Sequence, residues 1–268
     1  MKKFSNLLII SLLVVGVASS YVFARSGITI KGSTTVLPIA QSCAEAYMDE
    51  NPSVDISVQG GGSGVGIASI VDGTADIGDA SRPIKDKELN AAVSNGVVPK
   101  AHVVAMDGIA VVVHPSNPIS AMTKKQIQEI YTGGARSWPH GEKLVVISRD
   151  SASGTYETFY KLALDKKKPR SDALLQASNK AVATTVANTP GAIGYVGLGY
   201  LSSDIKAVTV EGVMPSKETV LSGEYMLARP LFMYTNGKPV GIIKDFIDFV
   251  LSEEGQYLAE QSGYVGLK

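Results

Sequence analysis

The 268-residue chain has one cysteine, three histidines and one tryptophan, and its 25 basic residues are matched by 25 acidic ones. Each shortage excludes something. With Cys43 alone there is no internal disulfide; inside an expected helix it reads as a small apolar packing residue. His102, His114 and His140 are scattered, and none has metal-ligand spacing to another or to Cys43. No metal and no cofactor are therefore expected. Trp138, beside Pro139, reads as a packing residue rather than a stacking platform. Balanced charge leaves no electrostatic footprint for nucleic acid or an anionic membrane. Any anion that binds must be held by local geometry.

Long apolar runs are scarce as well. Leu7 to Val17 is apolar except for Ser11 and Gly16 and follows Lys2 and Lys3. It falls short of the roughly 20 residues that a membrane span needs. With Val22-Phe23-Ala24 behind it, the stretch reads as a secretory signal cleaved after Ala24; cleavage after Ser20 also fits, and a membrane anchor is the alternative. No cysteine follows to carry a lipid. Removing residues 1–24 leaves 244 residues, with 23 basic against 25 acidic, a net charge of −2. That length holds two modest domains or one large one. The expectation is a soluble, exported, periplasmic protein.

What the chain does have is glycine beside hydroxyl residues. Gly32-Ser33-Thr34-Thr35, Gly61-Gly62-Ser63-Gly64 and Ser153-Gly154-Thr155 each follow an apolar run and open an expected helix. A helix start leaves N–H groups unpaired and carries partial positive charge. Small residues let an anion reach those groups, and hydroxyls add donors. With Ser81-Arg82 and Arg149, the three loops point to one oxyanion held from several sides. A plain capping role is the competing reading for any single loop. The second loop fits neither a dinucleotide fingerprint nor a Walker A motif.

Along the chain short strands and helices alternate. Strands are expected at Ile28–Lys31, Val54–Val58, 75–78, Leu144–Ser148, Ala192–Val196 and Leu231–Tyr234, and helices at Val36–Asp49, 63–71, Lys85–Ser94, Lys124–Tyr131, Thr155–Leu164 and Val240–Leu251. A second unit is expected to begin with the unbroken strand Ile109–Val113. The pattern predicts an α/β fold with a largely parallel sheet and a ligand cleft between two halves.

Ile30 to Pro38, Gln59 to Gly64, Ala75 to Pro83, Ser153 to Thr155 and Pro190 to Val196, in that order, resemble the periplasmic phosphate-binding proteins of Pst-type ABC transporters, a PBP-like family. The resemblance implies a bilobal type II binding-protein fold, two α/β lobes joined by two hinge crossovers near Met106-Asp107-Gly108 and Ala228-Arg229-Pro230. Lobe 1 would comprise 25–107 plus 230–268, and lobe 2 would comprise 108–229. It implies inorganic phosphate as ligand and a membrane permease with its ATPase as partners, the chain itself acting as a monomer. Matched position by position, the phosphate ligands are Thr34, Thr35, Ser63, Arg149, Ser153, Gly154 and Thr155; Ser81, at the one position that departs, is counted with them, and Arg82 reads equally as a ligand contact or a structural salt bridge. Some members carry aspartate where this chain has Ser81. Asp79 or Asp150 is then the expected carboxylate that accepts the phosphate proton and rejects sulfate, Asp79 foremost.

Two other readings stand beside this one. A different tetrahedral oxyanion, such as sulfate, molybdate or tungstate, would use the same donors. An exported phosphate-ester hydrolase would need a base beside a loop serine, and Ser63 misses the Gly-x-Ser-x-Gly elbow. No catalysis is expected.

Overall fold

Ile28 and Ile30 alternate with polar neighbours and form the buried face of β1 (Ser26–Gly32). The computed structural model describes residues 26–267, so the expected signal segment lies outside the described residues. There follow α1 (Leu37–Glu50), β2 (Val54–Gly60), α2 (Ser63–Val71), β3 (Ile77–Ala80), α3 (Asp86–Ser94) and β4 (Pro99–Val113). Next come β5 (Ala121–Met122), α4 (Lys124–Thr132), β6 (Val145–Arg149), α5 (Gly154–Leu162), β7 (Leu174–Gln176), α6 (Asn179–Ala187) and β8 (Ala192–Gly197). The chain closes with β9 (Lys206–Ala207), β10 (Thr209–Val210), α7 (Lys217–Leu221), β11 (Ala228–Asn236), α8 (Gly241–Val250) and α9 (Glu253–Gln261).

The main sheet runs in the order β2-β1-β3-β11-β4-β8-β6-β7, with β9 beside β4. The expectation of a largely parallel sheet needs correction. β1 pairs in parallel with β2 and β3, and β6 with β7 and β8, but β11 and β4 join those groups through antiparallel ladders. Ile109 also does not begin a strand. It lies within β4, whose first part pairs with β11 and whose last part pairs with β8. One long strand therefore passes through both halves of the molecule. The two segments expected as crossovers lie side by side: Met106, Asp107 and Gly108 are the register partners of Pro230, Arg229 and Ala228.

Separate apolar cores flank this junction. One packs Ile30, Ile39, Ile77, Leu231, Phe246 and Val250; another packs Ile109, Ile127, Tyr131, Phe159, Tyr195 and Leu227. The C-terminal helices return to α1, where the Tyr47 ring meets Phe246 and Phe249 edge-on, with centroids 5.5 and 5.4 Å away. Among the described residues no helix is long and apolar enough to cross a membrane.

Close backbone packing seats α2, whose first turn supplies Ser63. A Cβ on Gly66 would lie 2.5 Å from the Asp79 carbonyl oxygen and 2.7 Å from that of Lys31. Gly66→Ala should therefore push α2 off β1 and β3 and cost about 1–3 kcal/mol. Urea unfolding checks this: the midpoint should fall with the slope unchanged. An unchanged midpoint would show that the contact yields freely.

Candidate functional site

Thr35 and Thr155 come from opposite halves of the chain, yet their hydroxyl oxygens lie 2.9 Å apart. Thr34 and Thr35 occupy the turn between β1 and α1, where the Thr35 N–H donates to Ser33 Oγ at 3.1 Å. Gly154 and Thr155 begin α5, whose cap Ser153 accepts from the Tyr156 N–H at 3.1 Å. Ser63 begins α2 and accepts from the Ser81 N–H at 2.9 Å; the two serine hydroxyls are 3.3 Å apart. Only glycine fits at 154, because a Cβ there would stand 2.2 Å from Ser63 Oγ and 2.7 Å from Ser81 Oγ. The three glycine-hydroxyl loops thus converge on one point, and Ser63, Ser81, Ser153 and Thr155 are all buried there.

Arg149 ends β6 and is almost wholly buried. Its Nε donates to the Gln176 carbonyl at 2.9 Å and its Nη2 to that of Ala177 at 3.0 Å, while buried Nη1 has no partner. Burial lowers its pKa, although a guanidinium keeps its proton at any physiological pH. A second guanidinium, Arg229, lies at the crossover. Its Nε and Nη2 donate to Asp107 Oδ2 at 2.9 and 2.8 Å, and its Nη1 donates to the Ser81 carbonyl at 3.2 Å. Asp107 Oδ1 also accepts from the Leu198 N–H at 2.9 Å. Burial pushes the Asp107 carboxyl up, and Arg229 pulls it back. Asp107 thus offsets Arg229, whereas among the described residues no carboxylate lies at bonding distance of Arg149.

Three candidates have other contacts. Asp79 is in β3 rather than in the loop after it, and it is 1% exposed with Oδ1 unpartnered. Burial pushes its carboxyl well above the ordinary range, which disfavours the ionised form that the filter role needs. Asp150 Oδ1 accepts from the Ala152 N–H at 2.8 Å and caps the turn before α5. Arg82 is committed to two carboxylates: Nη1 and Nη2 donate to Glu88, at 2.8 and 2.7 Å, and Nε lies 2.9 Å from Glu157 Oε2, out of line for a hydrogen bond.

Sequence reasoning missed Asp107, Arg229 and Asn179. The first two are lone charges inside the apolar runs Val103–Val113 and Ala228–Met233, a pattern that signals a buried pair. Asn179 opens α6 and is fully buried; its Nδ2 donates to Thr34 and Thr35. A surface groove of about 690 Å³ beside Lys180, Thr184 and Asn188 is also lined by Tyr200, whose hydroxyl donates to the Thr34 carbonyl oxygen.

A family model described as a PBP superfamily domain matches residues 20–254. The phosphate-binding protein PstS of Bacillus subtilis is 34% identical over 251 residues, which cover 90% of this chain and 81% of that one. The chain belongs to the PstS family of phosphate-binding proteins. PstS of Staphylococcus epidermidis is 31% identical, covering 88% of this chain and 77% of its own. Among solved structures, a candidate phosphate ABC transporter substrate-binding protein from Clostridium perfringens, crystallised with phosphate, superposes with a TM-score of 0.84 at 31% identity, covering 91% of this chain and all of that one. An ABC-type phosphate transport receptor from Vibrio cholerae gives 0.73 at 30% identity, covering 89% and 99%. The fold is the bilobal α/β fold of this family.

Asp79 has a consequence for stability. The unfolded chain ionises this carboxyl near the ordinary 3.8, while the folded chain keeps it protonated to higher pH. The folded state therefore binds more protons, and stability falls as pH rises above that value. Asp79→Asn should match the parent in denaturant midpoint at about pH 4 and exceed it at about pH 7. If the difference between parent and variant does not change with pH, Asp79 is ionised and partnered after all.

Proposed function

We propose that this protein captures inorganic phosphate between its two lobes, 25–107 plus 230–268 and 108–229, and delivers it to a membrane permease of an ABC transporter. The observation that carries the reading is Arg149: a buried guanidinium held only by two backbone carbonyls, with one nitrogen open, is costly until an anion joins it. The hydroxyls of Thr34, Thr35, Ser63, Ser81, Ser153 and Thr155 and the α5 backbone start would join Arg149 around one anion. They would give every phosphate oxygen a donor. Ligand contacts made to both lobes would favour a closed arrangement. Export through the N-terminal signal would place the protein in the periplasm as a monomer.

Among the described residues the histidines and Ser63 are engaged elsewhere. His102, His114 and His140 pair with Thr235, Ser116 and Glu142, and Ser63 bonds only to Ser81. The receptor reading rests on the likeness to phosphate-binding proteins.

Calorimetric titration of the refolded mature protein with phosphate, arsenate, sulfate and molybdate tests this. One phosphate per chain is expected, with stabilisation of about 2.7 kcal/mol at 100 times Kd. Tighter binding of sulfate or molybdate would overturn the assignment. Arg149→Ala should weaken phosphate binding by roughly 2–5 kcal/mol. Binding equal to the parent's would remove Arg149 from the site.

A further inference from the structure

Charged residues follow the central hydroxyls on both sides of the junction. Ser81 is followed by Arg82, and Thr155 is followed two residues on by Glu157. Glu157 Oε2 lies 2.9 Å from Arg82 Nε, and Glu157 Oε1 accepts from Lys85 Nζ. Among the described residues these ion pairs, with Asp107–Arg229 at the crossover, are the ones that join 25–107 to 108–229.

Arg82 is set for this contact from its own side. Glu88, in the first turn of α3, takes Nη1 and Nη2 at 2.8 and 2.7 Å, and the Pro83 carbonyl takes Nη1 again at 2.9 Å. This two-point grip leaves the buried Nε without a hydrogen-bond acceptor, and Glu157 brings its charge beside that atom. The Arg82 side chain is 6% exposed and that of Glu157 19%, whereas Lys85 is half-exposed. Groups already held in place and shielded from water lose less to side-chain entropy and to salt than an exposed pair does.

Glu157 does not serve the anion directly. Residues two apart on a helix do not face each other, and Thr155 is the one that meets the buried hydroxyls. Glu157 instead sits where α5 is seated on the other half. The Thr158 hydroxyl donates to the Ser81 carbonyl at 3.4 Å, and the Gly64 N–H donates to the Ala152 carbonyl at 2.9 Å. With the halves apart, Glu157 would have Lys161, one turn further along α5, as an exposed partner of lower worth.

We propose that Glu157 is a positioning residue that latches the first turn of α5 onto Arg82 and Lys85 when the lobes close, and so slows the release of phosphate without touching it. The inference rests on the phosphate reading above and on its two lobes. Phosphate meets its first donors before the latch forms, so the latch acts on dissociation more than on association. The sign of the effect separates it from long-range electrostatics. Removing the negative charge of Glu157 makes the protein more attractive to an anion, yet it should loosen the grip on phosphate.

The experiment compares the parent with Glu157→Gln, Lys85→Met and the double variant at roughly 0.15 M salt, where fields reach about 8 Å. Calorimetric titration with inorganic phosphate gives the affinity. Release of radiolabelled phosphate into excess unlabelled phosphate gives the dissociation rate. Glu157→Gln should bind about tenfold more weakly and release about tenfold faster. Its urea midpoint without phosphate should equal the parent's, because the contact is absent from the open form. Lys85→Met should weaken binding about threefold, and the double variant should bind like Glu157→Gln alone, since Lys85 acts through Glu157. Equal or tighter binding by Glu157→Gln would overturn the inference. So would losses that multiply in the double variant, or a urea midpoint that falls without phosphate, the mark of a merely structural role. If the parent binds sulfate or molybdate and not phosphate, the phosphate reading fails alone, and the same comparison with that anion decides the latch. A parent that binds no oxyanion removes both.

Discussion

The ion pair between Asp107 and Arg229 is the constraint on which the rest depends. It sits where β4 and β11 pass between the halves, and its two residues are register partners. Burying two charges costs several kcal/mol per ion unless geometry and further hydrogen bonds repay it. Here Arg229 also reaches Thr35, Thr155 and the Ser81 carbonyl, and Asp107 reaches the Leu198 N–H. The repayment therefore comes from both halves at once. The same atoms link the two halves and contact the threonine hydroxyls.

This arrangement explains how a chain with balanced charge can hold an anion. No long-range field is needed, because Arg149 and the helix starts act at contact distance and out of water, where salt screens little. The acidic residues that sequence alone offered as a selectivity filter are occupied with other tasks. Asp79 is buried in β3, where desolvation raises its carboxyl pKa, and Asp150 caps a turn.

Much of this was legible in the sequence because glycine and hydroxyl residues at helix starts have local causes. Gly154 is needed by its neighbours Ser63 and Ser81, and β1, α1, β2 and α2 follow the apolar periodicity closely. What was not legible depends on distant partners. Asp107 interrupts an apolar run and so hid the continuity of β4; its burial makes sense only beside Arg229. Asn179 looks like an ordinary residue after the cap Ser178 until Thr34, far back in the chain, is placed against it. α9 was missed because its inward face offers Gly255, Gln256 and Ala259, too small or polar to mark a helix.

The central claim is that both halves together hold one anion at Arg149. A crystal structure of the mature protein grown with phosphate tests it most directly. The account predicts a single phosphate within hydrogen-bond distance of Arg149 Nη1 and of hydroxyls from both halves, with Arg82 still bound to Glu88 and Glu157. Phosphate found instead in the groove beside Lys180, or on one half alone with Arg149 Nη1 still unpartnered, would contradict it.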